Sequence, residues 1–516
     1  MRTRIVETRH GRLEGRESSS GVFFGGVPFA SAPVGELRFA PPGGPRPWTG
    51  VRNAQSPGAA APQLSVTRMG PISWLSRMVR GPMSEDCLTL NLTTPAVDDR
   101  KRPVLVWFHG GAFVLGAGST FLYDPSSLVG NGDVVVVSPN YRLGALGFLD
   151  LTSLSSRAEA PSNLGLRDQI AALEWVRDNI SAFGGDPARV TVFGESAGAM
   201  SLGVLLAVAP HLFHRAILQS GATANVATRA ESAYVAERFL AATGLGANDL
   251  EGLRRLPVDD ILEAQRAVLL GESSRMGRLP WQPSIDGDLL TSRPGPLIEQ
   301  GVARDVRVLV GTNLDEWKLF TSAAVALRAM SFDELERRIE RMLGRIAEPG
   351  ARDPRRAMEL YREVTRFRGS PQTAYEAWVA FRTDDYFRIP AIALADALSA
   401  GGSRVYLYRF DQPIPAFRTA LGACHAAEVP LVFSTHRTRW LKPIYLGRRK
   451  IDELSDVLEQ AWLSFSAQGA PKDSAAGDWP RHARTDRATR ILGAPGGLEP
   501  VVRDPESDTR AFWMSS

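Results

Sequence analysis

A serine hydroxyl becomes a nucleophile only when a base removes its proton. The segment Gly194-Glu195-Ser196-Ala197-Gly198 offers such a serine. As a bare G-x-S-x-G pattern it recurs by chance, so its surroundings decide. An apolar run, Val190 to Phe193, leads in, and a helix-compatible run leads out from Ala197. A sharp strand-to-helix turn there strains the backbone at Ser196, and the glycines at 194 and 198 let the flanking elements approach. The hydroxyl then stands at the carboxyl edge of a sheet and at a helix N-terminus. A structural serine is the competing reading, and this context favours the nucleophile. The tetrahedral intermediate of acyl transfer also needs N–H donors, each worth roughly 10²–10³ in rate. His109-Gly110-Gly111-Ala112-Phe113 follows a second apolar run, Pro103 to Phe108, and its glycines allow close backbone approach. A plain Gly-Gly turn is the competing reading. The Ala197 N–H, next after the serine, is a further expected donor.

The elements that must position these groups are legible from periodicity. Leu88 to Leu92 alternates like a strand. Pro103 to Phe108, Val134 to Val137, Arg189 to Phe193, Ala216 to Gln219, Val306 to Val310 and Val405 to Phe410 are strand-like runs bounded by turn residues. Continuous apolar runs of this kind suit strands buried on both faces. Leu164 to Ile180 carries Leu166, Ile170, Leu173, Val176 and Ile180 at helical spacing, and Phe183-Gly184-Gly185-Asp186-Pro187 stops it. Strands alternating with helices predict a mostly parallel sheet flanked by helices, an α/β architecture. Residues from about 320 to 400 turn to charged amphipathic helices such as Phe332 to Ile346, which predicts a helical insertion over the sheet. Ile451 to Gln468 is a further helix. With no repeat or long linker, one elaborated domain over 1–516 is the expectation.

In α/β-hydrolases the order is nucleophile, acid, base. Of the seven histidines, this leaves His425, His436 and His482. His425 lies in a loop-like stretch after the Val405 to Phe410 run. His436, between Thr435 and Arg437, and His482, after Pro480-Arg481, are expected at the surface, which favours His425. The acid must follow a strand between the serine and the histidine. Asp315 and Glu316 both follow Val308-Leu309-Val310-Gly311, and either can orient an imidazole and stabilise its cation. A carboxylate serving a helix N-terminus is the bland alternative for both.

Taken together these residues closely resemble the type-B carboxylesterase family, the group of bacterial para-nitrobenzyl esterases and cholinesterases. The resemblance covers almost the whole chain. It is carried by Phe24 to Ala30 with Leu37-Arg38-Phe39, by Ser84-Glu85-Asp86-Cys87-Leu88-Thr89-Leu90-Asn91, and by Asn140-Tyr141-Arg142. Asn163 to Gln169, Gln219-Ser220-Gly221 and Ile285-Asp286-Gly287 continue it in order. The resemblance implies Glu316 rather than Asp315 as the acid and His425, in His425 to Phe433, as the base. It implies an oxyanion hole from Gly111, Ala112 and Ala197, with Ser220 near the acid and Glu195 beside the nucleophile. It implies no metal and no organic cofactor. Cys87 matches a family half-cystine but has no upstream partner, so that disulfide loop is absent. Residues 59–83 do not resemble the choline-binding segment, and nothing sets Trp74 over a quaternary ammonium.

Composition narrows the remaining classes. The net charge is +4 from 60 basic and 56 acidic residues, and the bases are almost all arginine. The basic stretch Arg352 to Arg368 is interleaved with Asp353, Glu359 and Glu363 and reads as a solvated helix face, not a nucleic-acid site. Two distant cysteines make no disulfide framework and read as free thiols. The N-terminal residues lack the apolar core of a secretion signal. The longest uncharged apolar run, Ala197 to Pro210, is too short to span a bilayer. The expectation is a cytoplasmic enzyme without stable membrane insertion. Sequons at Asn91 and Asn179 then read as chance matches.

The predicted activity is hydrolysis of small-molecule carboxylic esters through an acyl-enzyme. An amidase or carbamate hydrolase with the same triad is the alternative. A non-catalytic binding protein on this fold is disfavoured, because serine, glutamate and histidine are all present. Phe113, Trp281, Trp317 and Phe320 are candidate pocket aromatics and equally candidate core. Monomer and homodimer stay open.

Overall fold

The computed structural model describes residues 2–64, 81–152, 161–246, 248–276, 279–322, 324–346, 352–473, 477–493 and 500–514. Trp74 lies outside them. A sheet of thirteen strands organises the chain. They are β1 (Thr3–Thr8), β2 (Gly11–Ser18), β3 (Gly21–Pro28), β4 (Val51–Asn53), β5 (Thr89–Thr94), β6 (Arg102–Phe108) and β7 (Val135–Pro139). Then follow β8 (Gly185–Glu195), β9 (Arg215–Gln219), β10 (Arg307–Asn313), β11 (Val405–Phe410), β12 (Ala488–Leu492) and β13 (Val501–Arg503). The spatial order is β1-β2-β3-β5-β7-β6-β8-β9-β10-β11-β12-β13, with β4 beside β2. From β7 to β12 every neighbouring pair is parallel. The outer strands β1, β2, β3 and β5 pair antiparallel, and β13 closes the other edge antiparallel.

This is the predicted α/β-hydrolase fold. The parallel strands are buried on both faces, which explains their unbroken apolar runs. The chain moves from β6 out to β7, then returns to place β8 on the opposite side of β6. That reversal opens a crevice at the carboxyl ends of β6 and β8, where open α/β sheets bind ligands.

Helix α1 (Leu164–Asn179) and helix α2 (Ala197–Val208) pack on the sheet; α2 is buried through its first ten residues, as its uncharged sequence requires. Beyond β10 come α3 (Phe332–Ile346), α4 (Pro354–Phe367), α5 (Ala374–Thr383) and α6 (Ile389–Ala400). A π-helical turn, Asp384–Arg388, joins the last two. Helix α7 (Arg449–Gln468) packs on the opposite face of the sheet from α2, and α8 (Ser507–Met514) ends the described chain. Among the described residues no helix is long and apolar enough to cross a membrane.

Several quoted motifs have packing roles. Arg142 grips buried Asp168 with two nitrogens, Nη2 at 2.7 Å and Nε at 2.9 Å. Arg38 pairs with Glu85, joining two of the segments that carry the resemblance. Cys87 and Cys424 are free and buried. Both sequon asparagines are buried. Arg355, Arg356, Arg362 and Arg366 of the basic stretch are solvated, but Arg368 is buried against Glu506.

Candidate active site

Ser196 follows β8 and caps α2 with φ 55° and ψ −124°, a conformation side chains with a Cβ rarely adopt. The turn is tight enough to exclude side chains around it. A Cβ on Gly198 would stand 2.0 Å from the Phe108 carbonyl oxygen, and one on Gly194 would stand 2.8 Å from it. The Ser196 N–H donates to the Gln219 carbonyl, which ties the turn to β9. Ser196 is partly exposed, while both neighbours, Glu195 and Ala197, are buried.

The loop after β6 brings Gly110 against this turn; a Cβ there would meet Ser196 Cβ at 3.0 Å. Gly111 needs its glycine, since at φ 116° a Cβ would lie 2.1 Å from the Leu115 carbonyl oxygen. Ala112 and Phe113 follow with positive φ. No acceptor among the described residues takes the Gly111 or Ala112 N–H. Ala197 opens α2, where N–H groups have no intrahelical acceptor. His109 braces the loop. It stacks on Tyr141, whose hydroxyl donates to the His109 carbonyl, and burial pushes its imidazole down to about 4, keeping it neutral.

At the end of β10 the two candidate acids separate. Glu316 Oε2 lies 2.7 Å from His425 Nδ1, and Glu316 Oε1 accepts the Asn313 N–H at 2.8 Å. Asp315 faces away from the imidazole. It accepts the Ala423 N–H at 3.0 Å and pairs with Lys318, so it anchors the loop that carries His425. On the other ring edge, His425 Nε2 stands 3.0 Å from Glu195 Oε1. Neither of those two atoms makes an aligned hydrogen bond. Burial alone would lower His425, but the Glu195 and Glu316 carboxylates outweigh it and raise the imidazole to about 10. Phe320 and Phe387 wall the ring, with centroids 5.1 and 4.7 Å from it.

Ser220 leaves β9 at φ 52° and donates its N–H to the Gly311 carbonyl, beside the strand that leads to Glu316. Its buried hydroxyl has no partner among the described residues. Two buried groups carried no assignment in sequence. Glu428, three residues past His425, accepts from Asn313 and Gln219, and burial with the nearby carboxylates pushes it up to about 7. Phe387, in the π-helical turn, stands 4.7 Å from the His425 ring. Neither burial nor that turn has a local signal; the spacing from His425 to Glu428 was the available hint.

Ser196, His425, Glu195, Gly111 and Ala112 all line one cavity of about 470 Å³, otherwise mostly apolar. Of the four aromatics proposed for a pocket, only Phe320 lines it. Phe113 and Trp281 are fully buried core, and Trp317 packs behind Phe320 at 5.0 Å. A larger surface groove of about 780 Å³ near Glu85 and Asp259 contains none of these groups. His436 and His482 are buried, not exposed. Each Nε2 lies 2.9 Å from a carboxylate oxygen, of Asp452 and Asp396 respectively. Flanking arginines and prolines read as solvent-facing because a distant carboxylate leaves no trace in the local sequence. Among the described residues no group of three His, Cys, Asp or Glu is arranged to hold a metal ion.

Comparison with known proteins agrees with this architecture. A family model described as the carboxylesterase family matches residues 2–507. Para-nitrobenzyl esterase of Bacillus subtilis (strain 168) is 37% identical over 518 residues, covering 99% of this chain and 98% of that one. Phenmedipham hydrolase of Pseudarthrobacter oxydans is 34% identical, covering 97% of each. The solved carboxylesterase of Geobacillus stearothermophilus superposes with a TM-score of 0.86 at 37% identity, covering 99% of this chain and 100% of that one. A solved para-nitrobenzyl esterase gives 0.82 at 36%, covering 99% of each.

Proposed function

From a chain that belongs to the carboxylesterase family and is a carboxylic ester hydrolase, we propose that Ser196, His425 and Glu316 act as its triad through an acyl-enzyme. The observation that carries this is the 2.7 Å contact from Glu316 to His425 Nδ1, in an imidazole that lines the same cavity as Ser196. Ser196 Oγ attacks the ester carbonyl, and His425 Nε2 takes its proton. The N–H groups of Gly111, Ala112 and Ala197 receive the oxyanion. The alkoxide leaves with the proton from His425. A water molecule, deprotonated by the same imidazole, then releases the acid. Glu316 orients the ring and stabilises its cation. The apolar cavity accommodates an aryl or short aliphatic ester.

Residues about 320–400 serve as a cap on a single α/β-hydrolase unit, a reading supported by Phe320 and Phe387 reaching down to His425. Amide or carbamate hydrolysis is the second reading, favoured by the relative named for phenmedipham hydrolysis. Ser196→Ala is expected to lower turnover of para-nitrophenyl acetate by at least about 10⁴-fold, with unchanged circular dichroism. Activity at the parent level in that variant sinks the assignment. A panel of esters, amides and carbamates run alongside separates the two readings.

A further inference from the structure

We propose that the rim of the Ser196 cavity is a docking surface for an anionic lipid layer, holding the cavity mouth against the headgroups. The docking does not depend on the triad assignment. Residues 437–450 carry six arginines and lysines and no acidic residue, in a chain whose net charge is only +4. The inner side of this segment is part of the cavity, through Leu441, Ile444 and Tyr445. Its outer side is solvated and bears Trp440 at 65% exposure and Leu446 at 47%.

Two other segments complete the rim. Phe417 lines the cavity and is 46% exposed, on a turn, Pro415–Phe417, that packs against the Lys442–Tyr445 helix. Val325, 76% exposed, lies between Ser322 and Arg328, which also line the cavity. Large apolar side chains are therefore exposed on three separate segments around one opening. They suit shallow insertion into a deformable headgroup layer, where tryptophan and leucine side chains are stable.

The charges point the same way. Arg437 pairs with Asp452 and Asp456, and Arg449 with Glu453. Arg439, Lys442, Arg448 and Lys450 have no ion-pair partner among the described residues. Arg439 lies over the Trp440 ring at 4.5 Å. A tryptophan among unpaired cations combines attraction to an anionic surface with an anchor at the headgroup depth. With no spanning helix among the described residues, such binding is peripheral. A hydrophobic ester dissolved in the lipid layer would then meet the cavity mouth directly.

The test is co-flotation of the full chain with vesicles of phosphatidylcholine alone or mixed with phosphatidylglycerol, at low and high salt. Binding is expected only to the mixed vesicles and is expected to weaken with salt. The triple variant Arg448→Glu, Arg449→Glu, Lys450→Glu is expected to bind at least about tenfold more weakly. Carboxylates suit the first turn of α7, so this variant keeps its helix. Trp440→Ala is expected to bind more weakly at both salt concentrations. Both variants should hydrolyse dissolved para-nitrophenyl acetate at the parent rate, which separates docking from the esterase reading. Equal binding to both vesicle types overturns the proposal, as does parent-level binding by the triple variant. Retention on DNA or an acidic polypeptide without vesicle binding overturns it as well.

Discussion

Two carboxylates face the His425 imidazole, one at each ring nitrogen. Glu316 touches Nδ1, the edge from which a triad acid acts. Glu195 lies against Nε2, the edge that accepts the Ser196 proton in the proposed mechanism. Both stabilise the cation, and the imidazole is raised to about 10 against the effect of burial. A base must be neutral to accept a proton, so kcat/KM is expected to rise with pH well into the alkaline range. Removing one carboxylate lowers the raised pKa. Glu195→Gln is therefore expected to move the rising limb of the pH–kcat/KM profile to lower pH. A limb that stays in place or moves upward contradicts this electrostatic reading. Ser196 and His425 were readable as candidates from residue type and chain order. The choice between Asp315 and Glu316 was not legible from residue type and order, because adjacent residues share every local signal; the family resemblance pointed to Glu316. Only the path of the loop after β10 sends one to the imidazole and the other to the Ala423 N–H.

At the scale of elements, the strand-turn-helix at Ser196 depends on two backbones passing almost in contact. The Gly198 position sits under the carbonyl of Phe108, the last residue of β6, with 2.0 Å left for a Cβ. Gly198→Ala must push α2 away from β6 and loosen the loop after β6, which carries the proposed oxyanion donors. Overpacking of this kind costs about 1–3 kcal/mol. The variant is expected to unfold at lower temperature by calorimetry and to lose turnover as well; an unchanged melting temperature refutes the close approach. The strands β6, β7, β9 and β11 were legible to within a residue or two, because apolar runs buried on both faces are hard to disguise. The outer antiparallel strands β1 and β2 were not recognised. Their charged, part-exposed residues carry no continuous apolar run. The π-helical turn that presents Phe387 to His425 was equally invisible, since one extra residue in a helical turn alters no composition.

Across the whole molecule, Glu506 ties the C-terminal segment to the rest. Its buried carboxylate meets Arg368 just past α4, Arg388 of the π-helical turn and Arg409 of β11. Burial works against its charge, but the three guanidinium groups outweigh burial and hold the carboxyl well below the usual range. A depressed folded-state pKa contributes stability that is present above the unfolded carboxyl pKa, roughly 4.3, and is lost as pH falls below it. Glu506→Gln leaves three buried cations under-compensated, and breaking such a set costs about 3–5 kcal/mol. The variant is expected to be less stable to urea at neutral pH, with the gap to the parent closing as the solution is acidified. A constant gap across that range contradicts the linkage.

By itself the sequence determined the α/β-hydrolase architecture, the family, Ser196 as the candidate nucleophile and His425 as the leading base. Each depends on local chemistry: apolar runs, glycines where backbones must touch, and a fixed order along the chain. Tertiary structure put Glu316 at the imidazole, as the resemblance implied, and decided which aromatics wall the cavity and that His436 and His482 are buried. It also brought Phe417, Val325 and the basic segment 437–450 to one rim. These outcomes depend on distances between residues far apart in sequence. Such distances follow from how helices settle on a twisted sheet, and no local pattern encodes them.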